Sequence, residues 1–191
     1  MLRSRRRTHT ALAACLLVAG VAAAARAASS RDRRFYSVKH GVGVEAPTGW
    51  TLSQHTGYPT ILVVLLHPDG SRISISAAPT PAKDAPALAE QNHRGLAAQK
   101  MSLTRQSAGP RGGVLVEAKR DDQDEIVRQL YLVRPLPDGT RQAVVLTLAT
   151  RPDHLASAAS GFDWAVAHLV LETPGGQPDK EGATPDAGRR E

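Results

Sequence analysis

The sequence predicts an α+β protein in which an antiparallel β-sheet is covered by helices. Two apolar runs, residues 61–67 and 72–78, flank the polar turn PDGS, a pattern typical of a β-hairpin. Three further strand-like runs follow one another through the short polar connections DDQD and LPDG. Two other segments place apolar residues at helical spacing, so helices are predicted in addition to the strands.

The N-terminal segment is predicted to be a signal peptide, residues 1–27. MLRSRRRTHT carries four arginines and no acidic residue, and an apolar run follows it directly. That run ends in Ala25, Arg26 and Ala27, the small-residue pattern that a signal peptidase accepts, so we expect cleavage after Ala27. The protein is therefore expected to be exported, either periplasmic or secreted.

Two other roles of the apolar run are less well supported. No transmembrane anchor is expected in the mature chain, because Arg26 interrupts the run before it reaches the roughly 20 residues of a spanning helix. The alternative of a lipoprotein attached through Cys15 rests on LAAC, which fits the pattern before a lipid-bearing cysteine. Most of the apolar run lies after Cys15, however, and this position favours a simple signal peptide.

Charge and cysteine content also depend on this cleavage. Residues 1–27 hold five of the 24 basic residues and none of the 18 acidic ones, which leaves 19 against 18 in the mature chain. A nearly neutral protein lacks the excess of Lys and Arg that phosphate backbones require, so no nucleic-acid partner is expected. Cys15 is the only cysteine, so the mature chain enters an oxidising compartment without disulfides.

The mature chain is expected to form one domain followed by a tail. Residues 28–172 carry the apolar periodicity and are predicted to be a single α/β domain. Residues 173–191 consist mainly of Pro, Gly and charged residues with little to bury, so they are predicted to be a disordered tail.

Within the hairpin, Ile73 and Ile75 alternate with serines, which predicts that the second strand has one buried face and one solvent-exposed face. The first strand is continuously apolar, so we expect it to be buried on both faces and central in the sheet.

A helix is predicted over residues 83–103, with Asp84 as its N-cap and Leu103 on its buried side. The three later runs predict an antiparallel meander, and residues 152–172 predict a second helix that Gly161 weakens.

The stretch HGVGVEAPTGW, residues 40–50, could be a phosphate-binding loop or a strand that enters a turn. Gly41 and Gly43 are followed by Ala46 at the third position of the G-x-G-x-x-G pattern. Pro47 and a new strand-like run then follow instead of the required helix, so the stretch is predicted to be a strand and a turn. Trp50 is expected to lie in the core, where it has a structural role.

The order of elements, together with YSVKHGVGVEAPTGW, resembles the PsbP-like family. This resemblance implies an α/β/α sandwich, the fold that the family shares with a Ran-binding nuclear transport factor and with secreted bacterial DcrB-type proteins. It also implies an accessory or binding role, and it supplies no catalytic residues to transfer to positions in this chain.

The residue types that commonly act in catalysis or metal binding do not form a known motif in this sequence. Six histidines remain after cleavage, and none forms an H-x-x-x-H pair: His40, His55, His67, His93, His154 and His168. The acidic run Asp121, Asp122, Asp124 and Glu125 lacks the glycine and glutamate of a calcium loop and is predicted to be a solvated turn. No G-x-S-x-G elbow is present. We therefore assign no catalytic, cofactor-binding or metal-binding residue.

These observations favour an exported, non-enzymatic accessory or binding protein of the bacterial cell envelope, with an envelope or secreted protein as its partner. The alternative is a small-ligand-binding protein or a hydrolase whose site is assembled only in the fold. A concave pocket with convergent polar groups would support the alternative, and an exposed apolar patch or open strand edge would support a protein partner.

Overall fold

The computed structural model describes residues 33–54, 58–120, 122 and 124–175. The predicted signal peptide and most of the predicted tail lie outside these residues. In these residues the two α-helices are α1, Ala85–Ala98, and α2, Leu155–Ala167. The strands, in chain order, are β1 Arg34–Ser37, β2 Val42–Glu45, β3 Thr51–Ser53, β4 Ile61–Leu66, β5 Arg72–Pro79, β6 Ser102–Ala108, β7 Val114–Arg120, β8 Glu125–Pro135, β9 Arg141–Thr150 and β10 Val170–Leu171.

The strands form two antiparallel sheets. The large sheet has seven strands in the order β3-β4-β5-β9-β8-β7-β6, and the small sheet has the order β1-β2-β10. One hydrophobic core lies between the large sheet and α1, and the other lies between the large sheet, α2 and the small sheet. This arrangement confirms the predicted α+β class, with an antiparallel sheet covered by helices on both faces.

The meander and the start of α1 follow the sequence prediction. Strands β7, β8 and β9 pair in consecutive order. The Asp84 carboxylate accepts a hydrogen bond of 2.8 Å from the Ala87 amide, as expected of an N-cap. The helix ends at Ala98, before its predicted end, because Lys100 adopts a positive φ of 57° that turns the chain into β6. Leu103 therefore lies 48% exposed on a strand, so its predicted burial on the helix is wrong.

The predicted hairpin is confirmed as β4 and β5, but β4 is not central. It lies second from the edge, beside the short strand β3. Val63 and Leu65 are buried in the core with α2, whereas Leu66 is 43% exposed. The prediction that β4 is buried on both faces is wrong. Helix α1 packs mainly against β6, β7 and β8, so it does not cover the face of β4 on its side of the sheet.

Residues 40–50 form a strand and a turn, as predicted. Strand β2 is followed by a turn in which Gly49 has a φ of 85°, and Trp50 is only 6% exposed in the core. The second helix ends at Ala167 instead of continuing to residue 172, because Val170 and Leu171 pair with β2 as strand β10.

The half-buried Arg134 connects the two sheets. Its guanidinium donates hydrogen bonds of 2.7 Å to the carbonyl oxygens of Glu172 and His40. Its Nε atom also donates a hydrogen bond of 2.8 Å to the side chain of Gln142 on the neighbouring strand β9. The small sheet is thus fixed to the large one by a charged side chain as well as by apolar packing.

Candidate functional site

A cleft of about 490 Å³ opens between the C-terminal half of α1 and the large sheet. It exists because α1 lies over β6, β7 and β8, while the same face of β9, β5 and β4 is not covered by a helix. We call this space the α1 cleft. Its size falls within the usual range of about 300–1,000 Å³ for small-molecule sites.

The floor of the cleft is a row of polar side chains on three adjacent strands. Ser74 on β5 is in register with Thr147 on β9, which is in register with Gln129 on β8. Gln129 Nε2 donates a hydrogen bond of 3.1 Å to Thr147 Oγ1, and the Tyr131 hydroxyl donates one to Gln129 Oε1. Burial raises the pKa of Tyr131 to about 12, so its hydroxyl remains a neutral donor at physiological pH. We call Ser74, Thr147 and Gln129 the polar row.

The walls of the cleft combine apolar side chains with polar ones, which include Asn92 on α1 and Gln99 just after it. Leu96 near the end of α1 and Met101 after it are both buried and line one side. Ile61, the first residue of β4, and Tyr58, just before that strand, also line the cleft, and Tyr58 is 63% exposed. The walls of small-molecule sites are usually predominantly apolar, so the polar share of this lining is high.

One end of the cleft carries three charged side chains. Arg72 Nη2 lies 2.8 Å from Glu125 Oε1, and Arg120 Nη1 lies 3.6 Å from Glu125 Oε2. Arg72 and Glu125 also line an adjoining pocket of about 160 Å³. The carboxylate of Glu125 thus interacts with two guanidinium groups at the junction of two cavities.

The predicted solvated turn is only partly correct. Asp121 lies outside the described residues, and Asp122 and Asp124 are exposed as expected. Glu125, by contrast, begins β8 with its side chain 17% exposed and ion-paired with Arg72, so it does not belong to a solvated turn.

Gln129 and Thr147 are not among the residues that the sequence predicts for a site. Thr147 lies between Leu146 and Leu148 in β9, and this apolar context is a signal from which it could have been found, because burial of a polar group is costly unless it is hydrogen-bonded. Gln129 follows Arg128 in β8, so its sequence context gives no such signal.

The histidines lie outside the α1 cleft, as far as the described residues line it. Two of them meet at Asp69: His67 Nδ1 lies 2.9 Å and His154 Nδ1 3.8 Å from its carboxylate oxygens. Burial alone would raise the pKa of Asp69, but hydrogen bonds from the Ser71 amide and His67 outweigh it and lower the pKa to about 2. The His67 ring also packs 5.1 Å from the ring of Trp50.

The other histidines are separated from one another. His93 faces a glutamate one turn earlier in α1, and His168 stacks on Trp164 with ring centroids 3.9 Å apart. His40 is half-buried beside Arg134, and His55 lies outside the described residues. Within the described ranges, no three His, Cys, Asp or Glu side chains are arranged to hold a metal ion.

A seven-stranded antiparallel sheet with α1 on one face and α2 with a small sheet on the other is a PsbP-like α/β/α sandwich. Comparison with solved structures confirms this fold. The solution structure of cyanobacterial PsbP (CyanoP) from Synechocystis sp. PCC 6803 matches with a TM-score of 0.53 and 18% identity, over 73% of this chain and 91% of that chain.

A second structure with this fold is LpqN from Mycobacterium tuberculosis, described as involved in cell envelope biogenesis. It matches with a TM-score of 0.53 and 13% identity, over 68% of this chain and 82% of that chain. No protein-family model and no curated protein sequence matches the chain. In the part of the chain that the structure describes, no helix has the length and apolarity to cross a membrane.

Proposed function

We propose that this chain is an exported, non-enzymatic binding protein of the bacterial cell envelope that holds a small ligand in the α1 cleft. The observation that carries the proposal is the polar row. Ser74, Thr147 and Gln129 are half-buried on a sheet face whose other covered positions are mainly apolar. Gln129 and Thr147 already bond to each other, and the second amide hydrogen of Gln129 and the hydroxyl hydrogen of Thr147 can donate to a ligand in the cleft.

The location in the cell envelope is supported by two independent features. The N-terminal residues have the arginine-rich start, apolar run and A-x-A site of a signal peptide. Among proteins of the same fold, LpqN is involved in cell envelope biogenesis. A periplasmic or secreted location agrees with both features.

A binding role is favoured over catalysis by the state of the ionisable groups in the cleft. Among the described lining residues, Glu125 supplies the only carboxylate, and it is shared by two arginines. The raised pKa of Tyr131 keeps its proton in place at neutral pH. Neither group is suited to act as a general base or a nucleophile. Turnover of an ester, peptide, phosphate or glycoside substrate that disappears when one histidine is replaced by alanine would instead support the hydrolase alternative.

The test uses residues 28–191 and a panel of sugars, amino acids, dipeptides, sugar phosphates and nucleotides at millimolar concentration, read by the shift in Tm. We expect at least one compound to raise the Tm through binding. Thr147→Val removes a hydroxyl from the polar row and should weaken that binding about tenfold. Thr104→Val makes the same change on the exposed strand β6 and should not affect it. Equal affinities for the two variants, or no shift with any compound, would contradict the proposal.

A second candidate function is the binding of an envelope or secreted protein at the edge strand β6. Among the strands of the described residues, β6 pairs only with β7, and most of its residues are exposed. An open edge can accept a strand from a partner. A photo-crosslinker at Gln106 should then capture one envelope protein in the producing cell, whereas the same group at the exposed Arg141 should not.

A further inference from the structure

The charged groups around the α1 cleft balance one another. Three arginines and three carboxylates line the cleft and the adjoining pocket of about 160 Å³: Arg72, Arg120, Arg151, Asp69, Asp124 and Glu125. Arg72 and Arg120 both approach the Glu125 carboxylate, and Arg120 has a further interaction as well. These surroundings favour neither an anion nor a cation, so the neutral polar groups of the cleft are the ones that select a ligand.

The hydrogen bonds of the polar row run in one direction. The Tyr131 hydroxyl donates to Gln129 Oε1, and Gln129 Nε2 donates a hydrogen bond of 3.1 Å to Thr147 Oγ1. Burial raises the pKa of Tyr131, which is 1% exposed, so its hydroxyl keeps its proton and needs an acceptor. This need fixes the orientation of the Gln129 amide. The second amide hydrogen of Gln129 and the hydroxyl hydrogen of Thr147 remain for a ligand.

A hydroxyl next to the cleft, by contrast, has its acceptor within the sheet. Ser76 lies two residues after Ser74 on the same face of β5, and it donates a hydrogen bond of 3.3 Å to the Val145 carbonyl. Among the described residues, Ser74 has no hydrogen-bond partner, and the Thr147 hydroxyl only accepts a hydrogen bond. Hydroxyl hydrogens without an acceptor therefore lie in the cleft and not beside it on this strand.

Helix α1 offers an acceptor on another side of the cleft. Asn92 lines the cleft from α1, and its Nδ2 donates a hydrogen bond of 2.9 Å to the Leu88 carbonyl one turn earlier. Because a carbonyl oxygen can only accept, this bond fixes which end of the Asn92 amide faces the helix and leaves Oδ1 able to accept from a ligand. Leu96 and Met101 line the same side and are buried. The cleft thus presents hydrogens from the sheet and an amide oxygen from the helix, with apolar side chains beside them.

We propose that the α1 cleft binds its ligand through a secondary amide group, whose carbonyl oxygen accepts from Gln129 and Thr147 and whose N–H donates to Asn92. This inference rests on the proposed ligand-binding role of the cleft. A trans secondary amide is planar, with its carbonyl oxygen and its N–H on opposite sides, so one group can meet donors on one side and an acceptor on the other. The peptide bond and the acetamido group of N-acetylated sugars both have this chemistry, and the test distinguishes them.

The test measures the Kd of matched neutral probes for residues 28–191 by titration calorimetry. N-acetylglucosamine is compared with glucose, which has a hydroxyl in place of the acetamido group. N-acetylalanine methyl ester is compared with O-acetyllactate methyl ester, in which an ester oxygen replaces the amide N–H. Since the amide adds a hydrogen-bond donor and a stronger acceptor, we expect at least one amide probe to bind about tenfold more tightly than its match. The pair with the larger difference identifies the sugar or the peptide as the source of the amide.

Variants show whether the preference arises in the cleft. Thr147→Val removes the hydroxyl hydrogen and should remove most of the preference for the amide, whereas Thr147→Ser restores the hydroxyl and should restore the preference. Asn92→Ala removes the acceptor for the amide N–H and should reduce the preference several-fold. Gln91→Ala is the matched control, since Gln91 is the preceding exposed residue of α1 and is not among the residues that line the cleft. Circular dichroism and Tm show whether each variant is folded.

Each result has a defined consequence. If neither amide probe binds more tightly than its match, while glucose or another compound of the wider panel does bind, this inference is wrong and the ligand-binding cleft remains. If an amide probe is preferred but neither Thr147→Val nor Asn92→Ala lowers the preference, the amide is bound elsewhere and the inference is also wrong. If neither these probes nor any compound of the panel binds, both the inference and the proposed ligand-binding role of the cleft fail.

Discussion

Gly161 of α2 lies directly against the indole of Trp50. A Cβ atom placed on Gly161 would be 2.7 Å from three atoms of the indole, a separation that real Cβ atoms do not show. Both residues are buried, in the core between α2 and the large sheet. A glycine that weakens an isolated helix is thus required here, because it provides the space that the tryptophan fills.

Gly161→Ala should therefore destabilise the protein. The gain in helix propensity is about 1 kcal/mol, whereas overpacking costs about 1–3 kcal/mol, so we expect a net loss of roughly 1 kcal/mol. Gly95→Ala in α1 is the matched control, because nothing lies within 4 Å of its added Cβ. It should raise the stability by up to about 1 kcal/mol. Urea unfolding that gives the same sign for both variants would contradict this explanation.

Trp50→Ala should be among the most damaging single substitutions. Truncation of a buried large aromatic side chain typically costs about 3–5 kcal/mol, and Trp50 is 6% exposed. The other tryptophan, Trp164, is 40% exposed, and its replacement by alanine should cost less than about 1 kcal/mol. Thermal unfolding of the two variants measures the difference. Similar Tm values would show that Trp50 does not anchor the core.

The local elements could be predicted from the sequence, and the long-range pairings could not. PDGS and the Asp84 cap act on neighbouring residues, so the hairpin and the start of α1 were found correctly. Strand β10 consists of only two residues, and its pairing of Val170 with Gly43 is too distant in the chain to appear in local periodicity. Strand β6 was missed because its sequence, SLTRQSA, shows no apolar alternation.

The same distinction applies to the candidate site. Arg120 and Glu125 are cross-strand partners around a short turn, so their proximity follows from the meander register. Arg72 lies on β5, which reaches them only because β9 inserts between β5 and β8. The cleft itself depends on where α1 crosses the sheet, and the helix sequence specifies only which of its faces is buried.

The mature N-terminus should be Ala28, without a lipid. Ala27→Phe replaces the small residue that a signal peptidase accepts, so the precursor should remain uncleaved at this site. Cys15→Ser tests the lipoprotein alternative and should leave export and processing unchanged. N-terminal sequencing and intact mass of the exported protein provide the measurement. An acylated Cys15 at the N-terminus would show that both the cleavage site and the lipid-free form are wrong.

Asp69 should make stability depend on pH in the acid range. Its pKa is about 2 in the folded protein and 3.8 for an unperturbed aspartate. Because the folded-state value is lower, the ionised carboxylate stabilises the fold above pH 3.8, and this contribution is lost as the pH falls toward 2. Asp69→Asn should flatten the pH dependence of the unfolding free energy between pH 4 and pH 2. The exposed Asp163→Asn should leave that slope as in the wild type.

Arg134→Gln should loosen the small sheet from the large one. The substitution removes the charged hydrogen bonds to the carbonyl oxygens of Glu172 and His40, each 2.7 Å long. Such bonds contribute about 1.5–3 kcal/mol each, and the carbonyl groups left behind are half-buried, so we expect a loss of about 2–4 kcal/mol. The Glu172 amide, which donates a hydrogen bond of 2.8 Å to the Gly41 carbonyl, should then exchange its hydrogen faster.

The control for this last prediction is Arg141→Gln, on the neighbouring strand β9, where the side chain is exposed. It should change the stability by less than about 0.5 kcal/mol and leave exchange at Glu172 as in the wild type. Hydrogen exchange separates a local effect from a global one, because loosening at β10 accelerates Glu172 while amides in the centre of β9 stay protected. If Arg134→Gln accelerates all amides equally, the arginine stabilises the whole fold instead of the junction between the sheets. If it accelerates none, apolar packing alone holds the small sheet in place.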